Sequence, residues 1–577
     1  MNNHDSNYGT SFTYRGNLAY NATPSGTTTH TYDIGGNVET TTANGVTTSN
    51  SVTSTTNYVA PSSITTNSLS SSMTWSTFMG PTSATGPNSD SASIGYDSNA
   101  RPYTTTSPYG AVTNYAYNDT ASPPTHTATT NGHWFTTTLD GFGRTTRTQT
   151  GYGTSPSTTV STVDTQYLPC GCSPLGKMSQ TSQPYAPGGA EYWTTYTYDA
   201  SGRTLTATLP DGASYTSYLY QGNTVKVTDP AGKWKTFTMD AFGNLTSVLE
   251  PDPSLGNVTT SYTYDVLNHL TGVSMPRSTT TQTRTFNYTS SNTVGATLLS
   301  ATNPENGTVT YTYNSNMTLA SKTDAKSQNF TYQYDTYNRL TSITWTNAPG
   351  GSTVLRSFMY DTNTITILGT SYSSFSTYGL GRLVAVQNAS FNTMYGTTQG
   401  TLSFTEMYGY TQAGQPNAKM LQAIESTSAY PINLTANYTY DNEGKMASVS
   451  YPNSGPTYTY GFDSMYRPVS LTGPNNSTIV SNVTYNAANQ MLAMTSSWWG
   501  NETRTYNSLN QLTYLSNINV SASYNYTAGS DNGKVASAAI GGETVTYQYD
   551  SLNRLISAAG SSGWGDSYGY DSFGNLL

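Results

Sequence analysis

One seven-residue core recurs along the chain. A period of this kind limits the fold more than any single residue can, because like units must bury their surface against their neighbours. The core is an aromatic, usually Tyr; Asp or Asn; two variable residues; Gly or Asn; Arg, Asn or Lys; and an aliphatic residue or Thr. It reads YDIGGNV at 32–38, YDSNARP at 96–102, LDGFGRT at 139–145, YDASGRT at 198–204, MDAFGNL at 239–245 and YDVLNHL at 264–270. It continues as YNSNMTL at 313–319, YDTYNRL at 334–340 and YDNEGKM at 440–446. Further copies begin at Phe462, Tyr485, Tyr506, Tyr549 and Tyr570, with a degenerate one at Tyr526, so the late units step by about 21 residues.

Each unit reads as a hairpin. The residues before the core alternate as Tyr-x-Tyr, as in Tyr196/Tyr198, Tyr332/Tyr334, Tyr438/Tyr440 and Tyr547/Tyr549, which puts both rings on one face of a strand. Asp or Asn and then Gly or Asn supply a turn, since Asx side chains bond the following backbone and Gly or Asn tolerates positive φ. A second strand follows, and it ends in turn signals such as Pro210-Asp211-Gly212 or Asp229-Pro230-Ala231-Gly232. Leu245, Leu340, Met446, Leu512 and Leu555 close their cores at corresponding places and are expected to be buried on one face of the sheet. The expected fold class is all-β: a continuous antiparallel sheet of hairpins, with almost no helix.

Composition agrees. Thr, Ser, Asn and the 49 Tyr dominate, and only 9% of residues are charged; Thr and Tyr fit strands, while Ser, Thr and Asn are poor helix formers. Disorder throughout is excluded, because the net charge is only -9 while aromatics reach 12%. No apolar run is long enough to span a membrane as a helix, Met1 to Thr10 lacks the pattern of a signal peptide, and no basic stripe invites nucleic acid. Repetition covers 1–577 as a single array, regular over about 194–577. The Thr/Ser-rich stretch of about 45–93 is least regular and reads as a degenerate repeat, an insertion or a flexible segment.

The Tyr-Asp-x-x-Gly-Arg/Asn-Leu core, its Tyr-x-Tyr lead-in and the Pro-Asp-Gly turn resemble the YD repeats of bacterial RHS (rearrangement hotspot) proteins, found also in insecticidal toxin-complex subunits and teneurins. The resemblance covers roughly residues 10–577. It implies a sheet coiled into a spiral or partial hollow shell that encloses or presents a C-terminal polypeptide, with a secreted or cell-surface location. The family's core-ending Asp-Pro-x-Gly-Leu motif is missing. Tyr570 to Leu577 read as an unfinished repeat whose hairpin cannot close, and Tyr14 to Leu18 read as a repeat interior. The expectation is therefore a fragment that lacks the core-ending motif and payload.

No residue emerges as catalytic, cofactor-binding or metal-binding, and no cofactor is implied. Cys170 and Cys172 form Pro-Cys-Gly-Cys; without companion ligands for Zn²⁺ they read as a tight turn, with a mutual disulfide as the lesser option. Asp33, Asp97, Asp199, Asp240, Asp265, Asp335, Asp441, Asp550 and Asp571 occur once per unit, whereas Ca²⁺ needs six to eight converging oxygens, so turn formation is the expected role. The Tyr rows read as cross-strand stacking. Three functions remain: a structural shell whose partner is an enclosed polypeptide or a neighbouring repeat segment; an adhesin that binds glycans or a protein along the Tyr-rich sheet; and, last, an enzyme, for which no phosphate loop, nucleophile elbow or metal cluster speaks.

Overall fold

The computed structural model describes residues 17–23, 26–154, 158–289, 297–362, 364–367, 370–373, 375–395, 398–425, 432–571 and 573–577. Met1 to Gly16 therefore lie outside the described residues, including most of the Tyr14–Leu18 segment, as does Ser572. The described residues form 49 strands and two short 3-10 turns, Ser54–Thr56 and Pro474–Asn476. Of these strands 47 belong to one antiparallel sheet; Thr364–Ile367 and Thr370–Ser373 pair separately. By internal contacts the chain divides into two compact units, one of 1–114 with 285–459 and the other of 115–284 with 460–577.

The cores are hairpin turns, and most of these hairpins carry a bulge that the sequence did not announce. Tyr334 pairs with Leu340 and Gln333 with Ser342, so Thr341 is the extra residue; Tyr332 then faces Ile343. The same shift follows the cores at Tyr198, Met239, Tyr264, Tyr313, Tyr440, Tyr506 and Tyr549. An extra residue places positions three apart on one face, where an unbroken strand would put them on opposite faces.

That shift corrects the expected core. Leu245, Leu340, Met446, Leu512 and Leu555 are half-buried, because they sit at the strand's turn end where water reaches them. Of the residues three further on, Val248 and Ala558 are buried and face Phe237 and Tyr547, while Ile343, Val449 and Leu515 are half-buried; Ala301 and Ala538, at the same place after Leu298 and Val535, are buried and face Phe286 and Tyr524. The one cluster of buried apolar residues found among the described residues is Val384, Ala385, Met407 and Met420, packed by Met359, Phe375 and Ile424.

The Thr/Ser-rich stretch has the same architecture. Strands Val46–Val52, Pro61–Thr66, Leu69–Trp75, Pro81–Thr85 and Ser91–Tyr96 pair in succession. Hydroxyl pairs line its faces, Thr48 to Thr66 at 2.8 Å and Thr74 to Ser83 at 2.6 Å. The terminal hairpin also closes, contrary to expectation: Tyr570 bridges Leu576 and the Leu577 N–H donates to the Gly569 carbonyl at 2.9 Å, because two residues suffice to meet the strand once the turn is made.

Candidate functional site

The recurring chemistry of this protein lies in its turns, and the core at Tyr334 shows how each letter is used. Asp335 Oδ1 accepts from the backbone N–H of Tyr337 at 2.8 Å and of Arg339 at 2.9 Å, while Oδ2 accepts from Arg339 Nε at 2.8 Å. The Asn338 N–H donates to the Asp335 carbonyl, and Asp335 N–H to the carbonyl of Arg339, both at 3.0 Å. Asn338 has φ of +59°. This fifth position is left-handed in the cores throughout, which is why Gly or Asn recurs there; Ala100, Met317 and Tyr466 hold it at +60°, +66° and +64°.

The sixth and first positions then tie one unit to the next. The Arg339 guanidinium lies 4.3 Å from the ring centroid of Tyr360, the next core aromatic, and also pairs with Asp361. The Tyr360 hydroxyl donates to the Leu340 carbonyl at 3.0 Å, next to the bulge. The same link joins Tyr264 to Leu245, Tyr334 to Leu319, Tyr506 to Met491, Tyr526 to Leu512 and Tyr570 to Leu555, between 2.8 and 3.1 Å. Likewise Arg203, Arg467 and Arg554 sit over Tyr220, Tyr485 and Tyr570. In the units whose core carries Arg at the sixth position, such as those at Tyr334, Phe462 and Tyr549, a cation–ring contact therefore links one unit to the next. Successive core Tyr are two strands apart, about 9.5 Å, too far for rings to touch, and the cation fills the gap.

The core carboxylates are occupied by these turns. Backbone and guanidinium donors of Arg101 and Arg203 hold Asp97 and Asp199 below the usual carboxylate range, and the Asn244 side-chain amide heads the donors that do so for Asp240. Asp33, Asp265, Asp441, Asp550 and Asp571 likewise accept backbone N–H bonds within their own turns. Among the described residues, no group of three or more His, Cys, Asp or Glu converges as a metal site would require. Cys170 and Cys172 are joined to each other across the two-residue turn that links Thr158–Cys170 to Ser173–Ser182, so the expected tight turn is present and carries the mutual disulfide as well.

Within each unit, turn tips from the later segment rest on return turns about 300 residues earlier. In the first unit Asn338 Nδ2 donates to the Asn44 carbonyl at 2.9 Å, the Tyr337 hydroxyl meets Ser68 Oγ at 2.7 Å, and Gln412 Nε2 donates to the Ser89 carbonyl at 2.6 Å. In the second, Asn510 Nδ2 donates to Gln183 Oε1 at 2.7 Å, the Asp531 N–H to Ser214 Oγ at 2.8 Å, and Asn553 Nδ2 to Asp229 Oδ2 at 2.9 Å. The His133 and Tyr466 rings meet at 5.5 Å, and Leu552 lines a small hollow with Val227, Trp234 and Phe237.

No sequence-family profile and no curated protein matches the chain. Solved structures do. A chain of the Tc holotoxin pore of Photorhabdus luminescens aligns with a TM-score of 0.74 at 14% identity, over 95% of this chain and 35% of that one. A chain of the TcdB2-TccC3 crystal structure aligns at 0.73 with 15% identity, over 95% and 33%. The chain shares its fold with these chains. The chain spans about a third of the length of those Tc toxin chains.

Several cores of the sheet escaped the sequence reading. Residues 75–81 (WSTFMGP) form one: the Met79 N–H donates to the Ser76 carbonyl, Gly80 N–H to Ser76 Oγ at 2.9 Å, Met79 has φ of +66°, and Trp75 Nε1 donates to the Pro61 carbonyl at 2.8 Å. Trp75 lies 21 residues before Tyr96, a spacing that was available as a signal. Residues 410–416 (YTQAGQP) form another, with the Tyr410 hydroxyl donating to the Leu383 carbonyl. A third begins at Tyr360-Asp361 and is completed only at Gly381-Arg382-Leu383.

A hollow of about 810 Å³ is lined by Arg147, Asp164, Glu191 and Trp193 among others. Asp164 is held by Arg147 at 2.6 Å and by the Tyr185 hydroxyl at 2.5 Å. Burial pushes its carboxyl up, but these donors outweigh it and keep it below the usual range; burial and the bond to Asp164 push Tyr185 up to about 12. A carboxylate held ionised in this way is poorly placed to act as a general acid near neutral pH.

Proposed function

We propose that this chain is a structural β-repeat shell segment of RHS type that encloses or presents a polypeptide payload, contributes no catalysis of its own, and works in a secreted or cell-surface setting. The observation that carries this reading is that the recurring core is consumed by architecture. Asp makes the turn, Arg joins the next aromatic, and the Tyr hydroxyl closes on a carbonyl of the preceding unit. The likeness to Tc toxin chains supports the same reading. Glycan binding along the Tyr row draws less support, since hydroxyls such as that of Tyr334 already donate to the backbone. No helix among the described residues is long and apolar enough to cross a membrane, which leaves strand-built spans untouched.

Fusing an unfolded reporter peptide after Leu577 tests the reading. Enclosure predicts that trypsin cleaves the fused reporter at least about tenfold more slowly than the free peptide. Cleavage of both at the same rate, with the repeat sheet intact by circular dichroism, would remove the shell function.

A further inference from the structure

The disulfide at the tip of the hairpin Thr158–Cys170 and Ser173–Ser182 adds little to the fold. The two strands are held by their own ladder, from Thr165 opposite Thr181 to Cys170 opposite Ser173. Cys170 and Cys172 are two residues apart, so their bond closes too small a loop to remove much chain entropy, and it ties no other element to the tip. The bond nevertheless lies where a reacting partner can reach it. Pro169 and Gly171 are exposed, both cysteines are half-buried, and a Cβ on Gly171 would meet nothing within 4 Å. A cation stands on one side: Lys177 Nζ donates to the Gly202 carbonyl at 2.6 Å, and a Cβ on Gly202 would lie 3.1 Å from that ammonium and 3.4 Å from Cys172 Cβ. Open apolar groups stand on the same hairpin, with Leu168 58% and Leu175 59% exposed.

We propose that the Cys170–Cys172 disulfide is a thiol–disulfide exchange site that oxidises a dithiol in an unfolded, apolar stretch of polypeptide. A client thiolate attacks Cys170 Sγ, where the new S–S bond forms. The bond between Cys170 and Cys172 breaks, and its electron pair leaves on Cys172 Sγ, beside the Lys177 ammonium that stabilises a thiolate there. The client's second thiolate then attacks its own sulfur in the mixed disulfide, and Cys170 departs as the second thiolate. The client ends as a disulfide and this chain as a dithiol; the two protons given up by the client thiols pass through water to Cys170 and Cys172. Leu168 and Leu175 select the client, because apolar side chains open to water beside the reacting sulfurs hold a chain whose own apolar groups are not yet buried. The transfer is stoichiometric, one client disulfide for each chain, and is independent of whether the chain encloses a payload.

Mixing the oxidised whole chain with a reduced, unfolded peptide that bears two Cys among Leu residues tests the proposal, with both disulfides followed by mass spectrometry. The wild-type chain is expected to lose its own disulfide as the peptide gains one, at least about tenfold faster than an equal concentration of glutathione disulfide oxidises the peptide. Cys170→Ser with Cys172→Ser is expected to oxidise none, and the reduced wild-type chain to melt at the same temperature as the oxidised one. Leu168→Ser with Leu175→Ser is expected to slow the peptide about fivefold and to leave reduction by dithiothreitol unchanged, which separates client capture from sulfur chemistry. Lys177→Gln is expected to slow both reactions about tenfold, and Lys177→Arg to restore them, since a guanidinium supplies the same charge. A disulfide that survives excess peptide, or oxidation no faster than by glutathione disulfide, would overturn the proposal. A melting temperature that falls on reduction would do the same by making the bond structural, as would rates indifferent to Lys177→Gln or to the leucine pair.

Discussion

Residues 46–96 and residues 478–560 fold into the same hairpins from sequences of very different legibility. In the later stretch the cores at Tyr485, Tyr506 and Tyr549 stand out; in the earlier one Trp replaces Tyr, Ser replaces Asp and Met replaces Gly in residues 75–79. Both stretches nevertheless place a left-handed residue at the fifth position, a bulge beside the turn, and a donor on the preceding carbonyl: Trp75 to Pro61 and Tyr549 to Val535. The fold therefore depends on what each position does rather than on the letter that does it. Where they differ is burial. Ala558 is buried three residues past Leu555, whereas Ala84, three residues past Pro81, is exposed.

That difference in burial predicts the largest effect. Ala558→Asp should destabilise by about 3 kcal/mol through an unpaired charge on a buried face, while Ala84→Asp should stay within about 0.5 kcal/mol. Equal melting shifts for the two would show that both stretches bury this face alike and would break the contrast.

The shared donor predicts the next. Tyr549→Phe and Trp75→Phe each remove the hydrogen bond to a carbonyl beside the bulge and should each cost about 1 kcal/mol. A silent Trp75→Phe in urea unfolding, next to a costly Tyr549→Phe, would mean that Trp75 fills the Tyr position without doing its work.

Backbone strain predicts an effect of opposite sign. Met79 holds φ of +66° and Asn553 +63°. Met79→Gly should stabilise by up to about 1 kcal/mol, because a side chain with no local bond to make is disfavoured there, and Asn553→Gly should change little. Loss of stability in Met79→Gly would show that the Met side chain contributes more than its backbone costs.

The smallest effect concerns pH. Asp199 and Asp240 are held below the ordinary carboxylate range, so their folded pKa lies under the unfolded value of about 3.9. Their contribution is complete above that value and is lost as pH falls through the folded pKa. Thermal melts from pH 6 to pH 3 should therefore show an acid limb that flattens in the Asp199→Asn, Asp240→Asn double variant. Ser76→Asn, in a turn headed by a hydroxyl, should leave that limb unchanged; flattening there as well would separate the acid response from the turn carboxylates.

The turns and the all-β class were legible because their chemistry is local. An Asp bonds the next few N–H groups wherever it stands, and Asn338 or Gly202 accepts a left-handed backbone in any context. The core at Tyr360 was hidden because 361 and 381–383 are brought together only by the fold, and the burial of Ala558 in place of Leu555 was hidden because one bulge residue reverses the strand's faces.

By itself the sequence determined a β-repeat array, its period, the turn made by each core and the role of each Asp in it. Tertiary structure decided which faces are buried, which carbonyl each Tyr hydroxyl finds, and which tips are covered. Asn553 and Asp229 are 324 residues apart, so no local preference encodes their meeting. It arises when successive hairpins, each with its own bulge and twist, bring one edge of the sheet against another, and only that accumulated geometry leaves Leu552 seated while Phe242 remains open to solvent.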